Sequence, residues 1–217
     1  MQSETSSAFF DSENGMRKTT VVLDLDGVVY DYMSIYRWML KEYRGVEMPP
    51  TSEAWTEWDG QKNWGAKEDH EWMEIEGVLR GLYRYGHAVR GARRGMETLV
   101  ELGYDLSIAT KRPAAALIDT LDWMSLYFKD IPIQEFHSIR RGESKAKVSG
   151  DVLIDDSPDN VRQWWTKGTF SRPARHSILF RHSANKDFDW PLVVYDWADI
   201  ENVMEDVEQR RRRKEVF

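Results

Sequence analysis

A short apolar run that ends in two carboxylates is the feature that most constrains the fold of this chain. The residues between Thr19 and Leu25 are mostly β-branched or apolar, which predicts a buried strand, and Asp24 and Asp26 lie at its end, before a turn at Gly27. Because side chains alternate along a strand, the two carboxylates share one face or converge at the strand's end. Two like charges this close need a cation, a shared proton or open water. A cation would make a metal-assisted reaction centre, and an acidic strand end that faces solvent is the structural alternative.

Composition limits the classes of protein that the chain can form. Its 217 residues, 41% hydrophobic and 31% charged, can bury one core with room for a small second module. No apolar stretch approaches the roughly 20 residues of a membrane span, and the polar segment 1–15 lacks the apolar centre of a secretory signal. The absence of cysteine excludes disulfides, thiolate zinc sites and cysteine nucleophiles. The net charge of −7 argues against an extended nucleic-acid partner, and we expect a cytoplasmic protein without membrane contact.

Short strands alternate with helices after Gly95, which is typical of a mainly parallel, doubly wound α/β sheet. Strands are predicted at 104–110, 133–137, 151–154, 177–180 and 192–195, and helices at 96–102, 114–127 and 198–210. The segment 31–95, by contrast, has no convincing strand, and its apolar residues recur at helical spacing. The sequence therefore predicts a Rossmann-like core with a small helical insertion after its first strand.

This pattern divides the chain into four predicted parts. The polar, Ser-rich residues 1–17 are expected to form a flexible leader, and the basic run at 210–217 a solvated tail. We assign 18–30 together with 96–209 to a catalytic core, and 31–95 to a helical cap.

Polar side chains lie at the predicted carboxyl ends of several strands, where doubly wound sheets bind their ligands. They are Asp24 and Asp26 after the first strand, Thr110, Lys111 and Arg112 after the second, and Asp155 and Asp156 after the fourth, with Lys145 and Lys147 shortly before the fourth. Carboxylate oxygens suit Mg²⁺, which keeps waters and accepts a phosphate oxygen as a further ligand. A hydroxyl and an ammonium group would neutralise phosphoryl oxygens in the transition state. The set therefore predicts phosphate chemistry on a divalent cation.

Four motifs in this order make the chain similar to the haloacid dehalogenase (HAD) superfamily of phosphatases. They are Asp24-Leu25-Asp26-Gly27, Leu106-Ser107-Ile108-Ala109-Thr110, Lys145, and Leu153-Ile154-Asp155-Asp156. Within that superfamily the chain most resembles the 5'(3')-deoxyribonucleotidases, through the stretches 24–31, 145–159 and 178–200. The resemblance covers residues 18 to 205, and its first and fourth motifs are the most specific.

The resemblance implies a phosphomonoester hydrolase that works through an aspartyl-phosphate. Asp24 would attack the phosphorus, and Asp26 would first protonate the leaving alcohol and then deprotonate the hydrolytic water. Thr110 would donate its hydroxyl to the phosphate, and Lys145 would offset the repulsion between the nucleophile and the phosphate.

The resemblance also implies a set of ligands for Mg²⁺. These are the carboxylate of Asp24, the backbone carbonyl of Asp26 and one carboxylate of the second acidic pair. We favour Asp156 as the direct ligand, with Asp155 behind it.

Several assignments have a second interpretation. Lys147, two residues from Lys145, is the other candidate for the phosphate lysine. Thr110 could satisfy a loop at the end of its strand. Asp31 matches the family pattern as a substrate contact but could instead cap the following helix, and the acidic pair of the fourth motif could form a turn or a helix cap.

Aromatic residues in the predicted cap point to the substrate. Trp55, Trp58 and Trp64 have few aliphatic neighbours in the sequence, and aromatic rings that stack on a nucleobase gain roughly 1–3 kcal/mol per base. The predicted partner is therefore a small-molecule phosphomonoester, namely a nucleoside monophosphate.

Lys111 and Arg112 depart from the family pattern, which has a small residue and then proline after Thr110. These cations would accept a second phosphate, so bisphosphates and polynucleotide ends are alternative substrates. A phosphatase of the same superfamily that acts on sugar phosphates is a further alternative. A catalytically idle binding protein on the same fold is the remaining alternative, and the intact Asp24 and Asp26 argue against it. The sequence leaves the oligomeric state open, with a homodimer as one option.

Overall fold

Six parallel strands form the central sheet of the computed structural model, which describes residues 18–48, 67–166 and 175–213. The strands are β1 (Thr20–Leu23), β2 (Asp105–Thr110), β3 (Ile133–Ser138), β4 (Val152–Asp155), β5 (His176–Phe180) and β6 (Val193–Val194). Their spatial order is β3-β2-β1-β4-β5-β6. The predicted parallel, doubly wound α/β sheet is thus confirmed, and each strand begins and ends within two residues of its predicted bounds.

The central strands are buried on both faces, as expected for a parallel sheet covered by helices. β4 and β5 consist entirely of buried residues, and in β1 the side chains at 21–23 are inaccessible to solvent. β1 lies between β2 and β4, so the carboxyl ends of these three strands meet where the strand order changes direction.

Helices cover the sheet and form the insertion. They are α1 (Tyr32–Arg44), α2 (Lys67–Trp72), α3 (Ala92–Glu101), α4 (Leu117–Phe128), α5 (Pro158–Thr166) and α6 (Ile200–Arg213). A π-helical turn, Met73–Gly77, continues α2. All of these helices belong to the described part of the chain.

Two helices differ from the prediction. α3 begins at Ala92 and not at residue 96. It directly follows Gly91, whose positive φ of 80° turns the chain before the helix. The predicted boundary between cap and core, at 95/96, therefore lies inside a helix. α5 was not predicted at all, because its short sequence contains three tryptophan or proline residues and lacks a clear helical period.

The last helix also extends beyond its predicted end. α6 continues through Arg213, so residues 210–213 of the predicted basic tail are helical. Arg211 donates hydrogen bonds to the hydroxyl of Thr19 and to Glu208, and cations at a helix C-terminus interact favourably with the helix dipole.

The helical insertion leaves and re-enters the core through neighbouring backbone. The N–H of Asp31 donates to the carbonyl of His87 at 2.9 Å, and the N–H of Val89 donates to the carbonyl of Val29 at 2.8 Å. Among the described residues between 32 and 86 there is no strand, as predicted. The insertion is therefore joined to the core by a narrow, hydrogen-bonded neck next to the end of β1.

Some predicted features lie outside the described residues. They are the leader at 1–17, the end of the tail at 214–217, and Trp55, Trp58 and Trp64. In the ranges that the structure describes, no helix has the length and apolar character needed to cross a membrane.

Candidate active site

A tight turn follows β1 and presents the two aspartates of the first motif. Three successive N–H groups, at 28–30, donate to the carbonyl of Leu25 at 3.2, 2.8 and 2.7 Å. Gly27 has a φ of 79°, and a Cβ at this position would clash with Oδ2 of Asp156. Glycine is needed here because the position combines a left-handed backbone with a close approach to the fourth motif. The turn therefore holds the first and fourth motifs in contact.

Asp24, Lys145 and Asp155 form a buried ionic contact. Nζ of Lys145 lies 2.6 Å from Oδ2 of Asp24 and 2.8 Å from Oδ2 of Asp155, and its side chain is 1% exposed. Burial alone would lower the pKa of Lys145, but Asp155 and Asp24 raise it above its usual value, so the lysine is charged. Burial raises the pKa of Asp24 well above its usual value, and Lys145 offsets only part of this effect.

Lys147 lies elsewhere. Its side chain is 64% exposed and pairs with Glu143 at 3.3 Å. Of the two lysines that the sequence left open, the structure therefore brings only Lys145 to the carboxylates.

Asp155 is fixed by hydrogen bonds to both of its oxygens. Oδ1 accepts from the N–H of Ser157 at 2.9 Å and from Nδ2 of Asn160 at 3.0 Å. Oδ2 accepts from Nζ of Lys145 at 2.8 Å and from Nδ2 of Asn160 at 3.1 Å. The donors are Lys145 and residues at the start of α5. Asp155 is fully buried, so these hydrogen bonds replace contact with water.

Asp156 is less constrained and faces a histidine. Its Oδ2 lies 2.9 Å from Nε2 of His182, and its backbone carbonyl accepts from Nδ2 of Asn185 at 2.8 Å. Burial raises the pKa of Asp156, and His182 opposes that shift. We did not predict His182 as a site residue, and its only sequence signal is its place just after the end of β5.

Three carboxylates are close enough to hold a metal ion. One oxygen from each of Asp24, Asp155 and Asp156 lies within 4.8 Å of the others. Acidic side chains that converge in this way match the hard oxygen ligands of a divalent cation. The cluster forms where β1 and β4 end side by side, as the sequence predicts.

The carboxylate of Asp26 is not part of this cluster and is held by Arg112. Nε of Arg112 lies 3.1 Å from both carboxylate oxygens, and Nη2 lies 2.7 Å from Oδ1. The guanidinium is buried and also donates from Nη1 to the hydroxyl of Thr120 at 3.1 Å. Arg112 is thus committed to Asp26 instead of being free for the second phosphate expected from the sequence.

Thr110 and Lys111 take different positions at the end of β2. Thr110 is buried, and its Oγ1 accepts a hydrogen bond from the N–H of Arg112 at 3.3 Å, which is the loop-satisfying role considered above. Nζ of Lys111 donates to Oδ1 of Asn160 at 2.8 Å. Burial and the nearby Lys145 lower the pKa of Lys111.

Asp31 caps α1. Its carboxylate accepts hydrogen bonds from the N–H of Ser34 at 3.1 Å and from the hydroxyl of Ser34 at 2.6 Å. The helix-cap alternative therefore describes its contacts, although Asp31 also lines the adjacent cavity.

A cavity of about 420 Å³ opens between the ends of the strands and the insertion. Its described lining comprises Asp24, Asp26, Gly27, Asp31, Tyr32, Met33, Tyr83, Val89, Lys111, Arg112, Lys145, Asp156, Ser157, Asn160, His182 and Ser183. A second cavity of about 710 Å³ shares Tyr32, Tyr83, Lys111 and Arg112 with the first. Both volumes lie in the range of small-molecule sites. Thr110 is absent from the lining of both cavities among the described residues.

Solved structures share this fold. A conserved haloacid dehalogenase-like protein of unknown function from Agrobacterium tumefaciens superposes with a TM-score of 0.58 at 13% identity, covering 88% of this chain and all of the other. A HAD-hydrolase from Bacillus subtilis, described as bound to magnesium, has a TM-score of 0.57 at 13% identity and covers the same shares. The chain therefore has the fold of the HAD superfamily.

The sequence is similar to nucleotidases. A protein from Chlorobaculum tepidum named "Putative 5'(3')-deoxyribonucleotidase" is 26% identical over 205 residues, which cover 88% of this chain and 94% of the relative. The model of the family described as 5' nucleotidase, deoxy (pyrimidine), cytosolic type C protein matches residues 17–211. The chain is thus a HAD-superfamily phosphatase of the 5'-nucleotidase class. It belongs to the cytosolic type C 5'-nucleotidase family, as the resemblance found in the sequence indicated.

Proposed function

We propose that this protein is a cytoplasmic, Mg²⁺-dependent 5'-nucleotidase that removes phosphate from (deoxy)nucleoside monophosphates through an aspartyl-phosphate on Asp24. The observation that carries the proposal is the contact of the Asp24 carboxylate with a buried, charged Lys145 at the wall of a cavity. The family's description names deoxy and pyrimidine nucleotides, which supports this substrate class.

Asp24 is proposed as the nucleophile. Its carboxylate faces the cavity, and Lys145 lies 2.6 Å from one of its oxygens. The ammonium group reduces the repulsion between a carboxylate and an incoming phosphate, which is the main obstacle to attack by an anion. In the first step a bond forms between Asp24 and phosphorus while the bond from phosphorus to the leaving oxygen breaks.

Asp26 is proposed to move the proton. As an acid it gives a proton to the leaving oxygen, which departs as the nucleoside. As the resulting carboxylate it takes a proton from the water that attacks phosphorus, and this second step releases inorganic phosphate and restores the Asp24 carboxylate. Two aspartates on one turn thereby divide the nucleophilic and the acid–base work.

The acidic cluster fits a divalent cation. Asp24, Asp155 and Asp156 bring three carboxylates together with one lysine among them, and a divalent cation would offset the repulsion between them. Asp24, the Asp26 carbonyl and Asp156 would hold the ion. When bound, Mg²⁺ would supply positive charge that polarises the phosphoryl group.

The proposed ligand set has a testable consequence for Asp156. Asp156→Asn is expected to raise the Mg²⁺ concentration for half-maximal activity by more than about 10-fold, because a direct ligand loses its charge. Asp155 keeps both oxygens in hydrogen bonds to the protein, so Asp155→Asn should lower thermal stability more than Asp156→Asn. Activity is measured against Mg²⁺ concentration after treatment with a chelator. An unchanged Mg²⁺ requirement in Asp156→Asn would assign the direct ligand to another residue.

We propose that the helical insertion, 31–95, acts as a cap that recognises the nucleoside. Tyr32 and Tyr83 stack at a centroid distance of 6.1 Å and line both cavities, so aromatic surface is present beside the catalytic pocket. Trp55, Trp58 and Trp64 are proposed to add to it, with Asp31 as a further contact. Thr110, Lys111 and Lys145 are the proposed phosphate ligands.

A substrate panel tests the proposed function. With Mg²⁺, we expect dUMP or dTMP to be hydrolysed with a kcat/KM at least about 10-fold above those of small sugar phosphates, since stacking on one base is worth roughly 1–3 kcal/mol. The release of inorganic phosphate is the measurement. Equal rates for nucleotides and sugar phosphates would refute a nucleoside-reading cap, and preference for an oligonucleotide 5'-phosphate would favour the polynucleotide-end alternative.

A further inference from the structure

Arg112 is buried beside Asp26, although the proposed reaction steps assign it no role. Arg112 has a side chain that is 2% exposed, whereas the side chain of its partner Asp26 is 28% exposed. The arginine is therefore the more deeply buried partner of the pair, and both residues contribute to the wall of the first cavity.

Besides its ion pair with Asp26, the guanidinium makes a hydrogen bond and two cation–π contacts. Nη1 donates to the hydroxyl of Thr120, which in turn donates to the carbonyl of Ala116 at 2.8 Å. The charged plane also lies 4.2 Å from the ring centroid of Tyr30 and 4.6 Å from that of Tyr83. Cation–π contacts of this kind stabilise an arginine away from water. The orientation of Arg112 is thus set before any substrate binds.

The two oxygens of Asp26 are not equivalent in this arrangement. Oδ1 accepts from Nη2 at 2.7 Å and from Nε at 3.1 Å, whereas Oδ2 accepts from Nε alone, at 3.1 Å, among the residues that the structure describes. A forked, planar donor fixes both the position and the rotation of a carboxylate. Oδ2 therefore has fewer contacts than Oδ1 among the described residues, and Asp26 lines the cavity.

We propose that Arg112 is a positioning residue that anchors Oδ1 of Asp26, so that Oδ2 is directed at the leaving oxygen of the substrate. This inference rests on the proposed function of Asp26 as the acid and base. In the described hydrogen bonds and ion pairs Arg112 contacts neither the nucleophile Asp24 nor the acidic cluster, and its contact with the proposed reaction machinery is the one with Asp26. Its other neighbour at the cavity, Tyr83, is proposed to face the nucleoside, so the test must separate an effect on the leaving oxygen from an effect on nucleoside binding.

The test compares dTMP with its analogue in which sulfur replaces the 5' bridging oxygen. The analogue keeps the base, the sugar and the phosphoryl group, but a thiolate leaves without the proton that an alkoxide needs. Values of kcat/KM report the steps up to transfer of the phosphoryl group to Asp24, and they exclude the later hydrolysis of the aspartyl-phosphate.

We expect Arg112→Met to lower kcat/KM for dTMP by about 10- to 100-fold, the size of effect caused by a misplaced catalytic group, and to change the value for the sulfur analogue much less. Arg112→Lys keeps the positive charge beside Tyr30 and Tyr83 but loses the forked guanidinium donor. It should therefore keep more activity on dTMP than Arg112→Met does. Thr120→Val removes the Nη1 acceptor, together with the bond to the carbonyl of Ala116, but keeps the contact between Arg112 and Asp26, so it should give a smaller loss with the same preference for the analogue. Arg162→Met, at an exposed arginine of α5 that pairs with Asp159 and lines neither cavity, is the control and should match the wild type.

The variant Asp26→Asn distinguishes a failure of the positioning role of Arg112 from a failure of the proposed function of Asp26. If Asp26→Asn loses about 10²- to 10⁴-fold on dTMP but little on the analogue, Asp26 is the acid. Equal losses on both substrates in the Arg112 variants would then overturn the positioning role alone. If Asp26→Asn shows no preference for the analogue, the proposed function of Asp26 fails instead. Melting temperatures identify any variant that loses activity because it unfolds. If Arg112→Met unfolds, the kcat/KM values of Arg112→Lys and Thr120→Val on the two substrates test the positioning role instead.

Discussion

Asp24→Asn will reduce the turnover of nucleoside monophosphates by about 10⁴-fold or more, because an amide cannot attack phosphorus and the two-step route has no other nucleophile. The fold should remain intact. Asp24 is one of three buried carboxylates around a single lysine, and Lys145 keeps its 2.8 Å contact with Asp155 when Asp24 is neutral. The measurement is kcat with saturating Mg²⁺, together with the melting temperature of both proteins.

The nucleophile assignment needs a matched control. Asp122→Asn changes an exposed aspartate that pairs with Arg84 on the outside of α4, and it should leave kcat unchanged. Mass spectrometry of acid-quenched wild-type enzyme should detect the phosphorylated protein, and Asp24→Asn should not form it. Activity of the Asp24 variant within about 10-fold of the wild type would show that another group attacks phosphorus.

Lys145→Met is expected to destabilise the protein by about 3–5 kcal/mol, because it leaves Asp24 and Asp155 as buried carboxylates without their cation. For a chain of this size the loss corresponds to a fall of about 6–20 °C in melting temperature. An unpaired buried carboxylate takes up a proton, so the loss should shrink as the pH is lowered. Activity should also be lost, since nothing then screens the nucleophile from the phosphate. Thermal unfolding at several pH values measures the effect on stability.

Lys147→Met is the natural comparison because the two lysines lie in one 3₁₀ turn. The side chain of Lys147 is exposed and pairs only with Glu143 in the described ion pairs, an arrangement worth less than about 1 kcal/mol. Its replacement should therefore leave stability and activity nearly unchanged. Similar effects of the two substitutions would remove the special role that we propose for Lys145.

The strands could be predicted because buried parallel strands are continuous apolar runs. β4 and β1 are examples, and each is followed directly by the acidic residues that the sequence placed at the site. The cluster of Asp24, Asp155 and Asp156 was predictable for the same reason, since β1 and β4 are neighbours and their ends must meet.

Contacts that depend on side-chain direction could not be predicted. Nothing in the spacing of the sequence shows that Arg112 turns back to Asp26, because the contact joins residues 86 positions apart and is fixed by two tyrosine rings. His182 was missed for a related reason. It meets Asp156 only because β5 lies beside β4, and a lone histidine after a strand carries no pattern of its own.

The narrow neck of the insertion has a consequence for how such enzymes diversify. The outgoing and returning chains are joined by hydrogen bonds from the N–H of Asp31 to the carbonyl of His87 and from the N–H of Val89 to the carbonyl of Val29, beside the turn that carries the two proposed catalytic aspartates. Because the neck joins the two chains, we expect that changes in the length or sequence of the insertion beyond it leave the position of β1 unaltered. If the insertion recognises the nucleoside as we propose, it can change during evolution as a separate module while the proposed catalytic residues on the core keep their geometry.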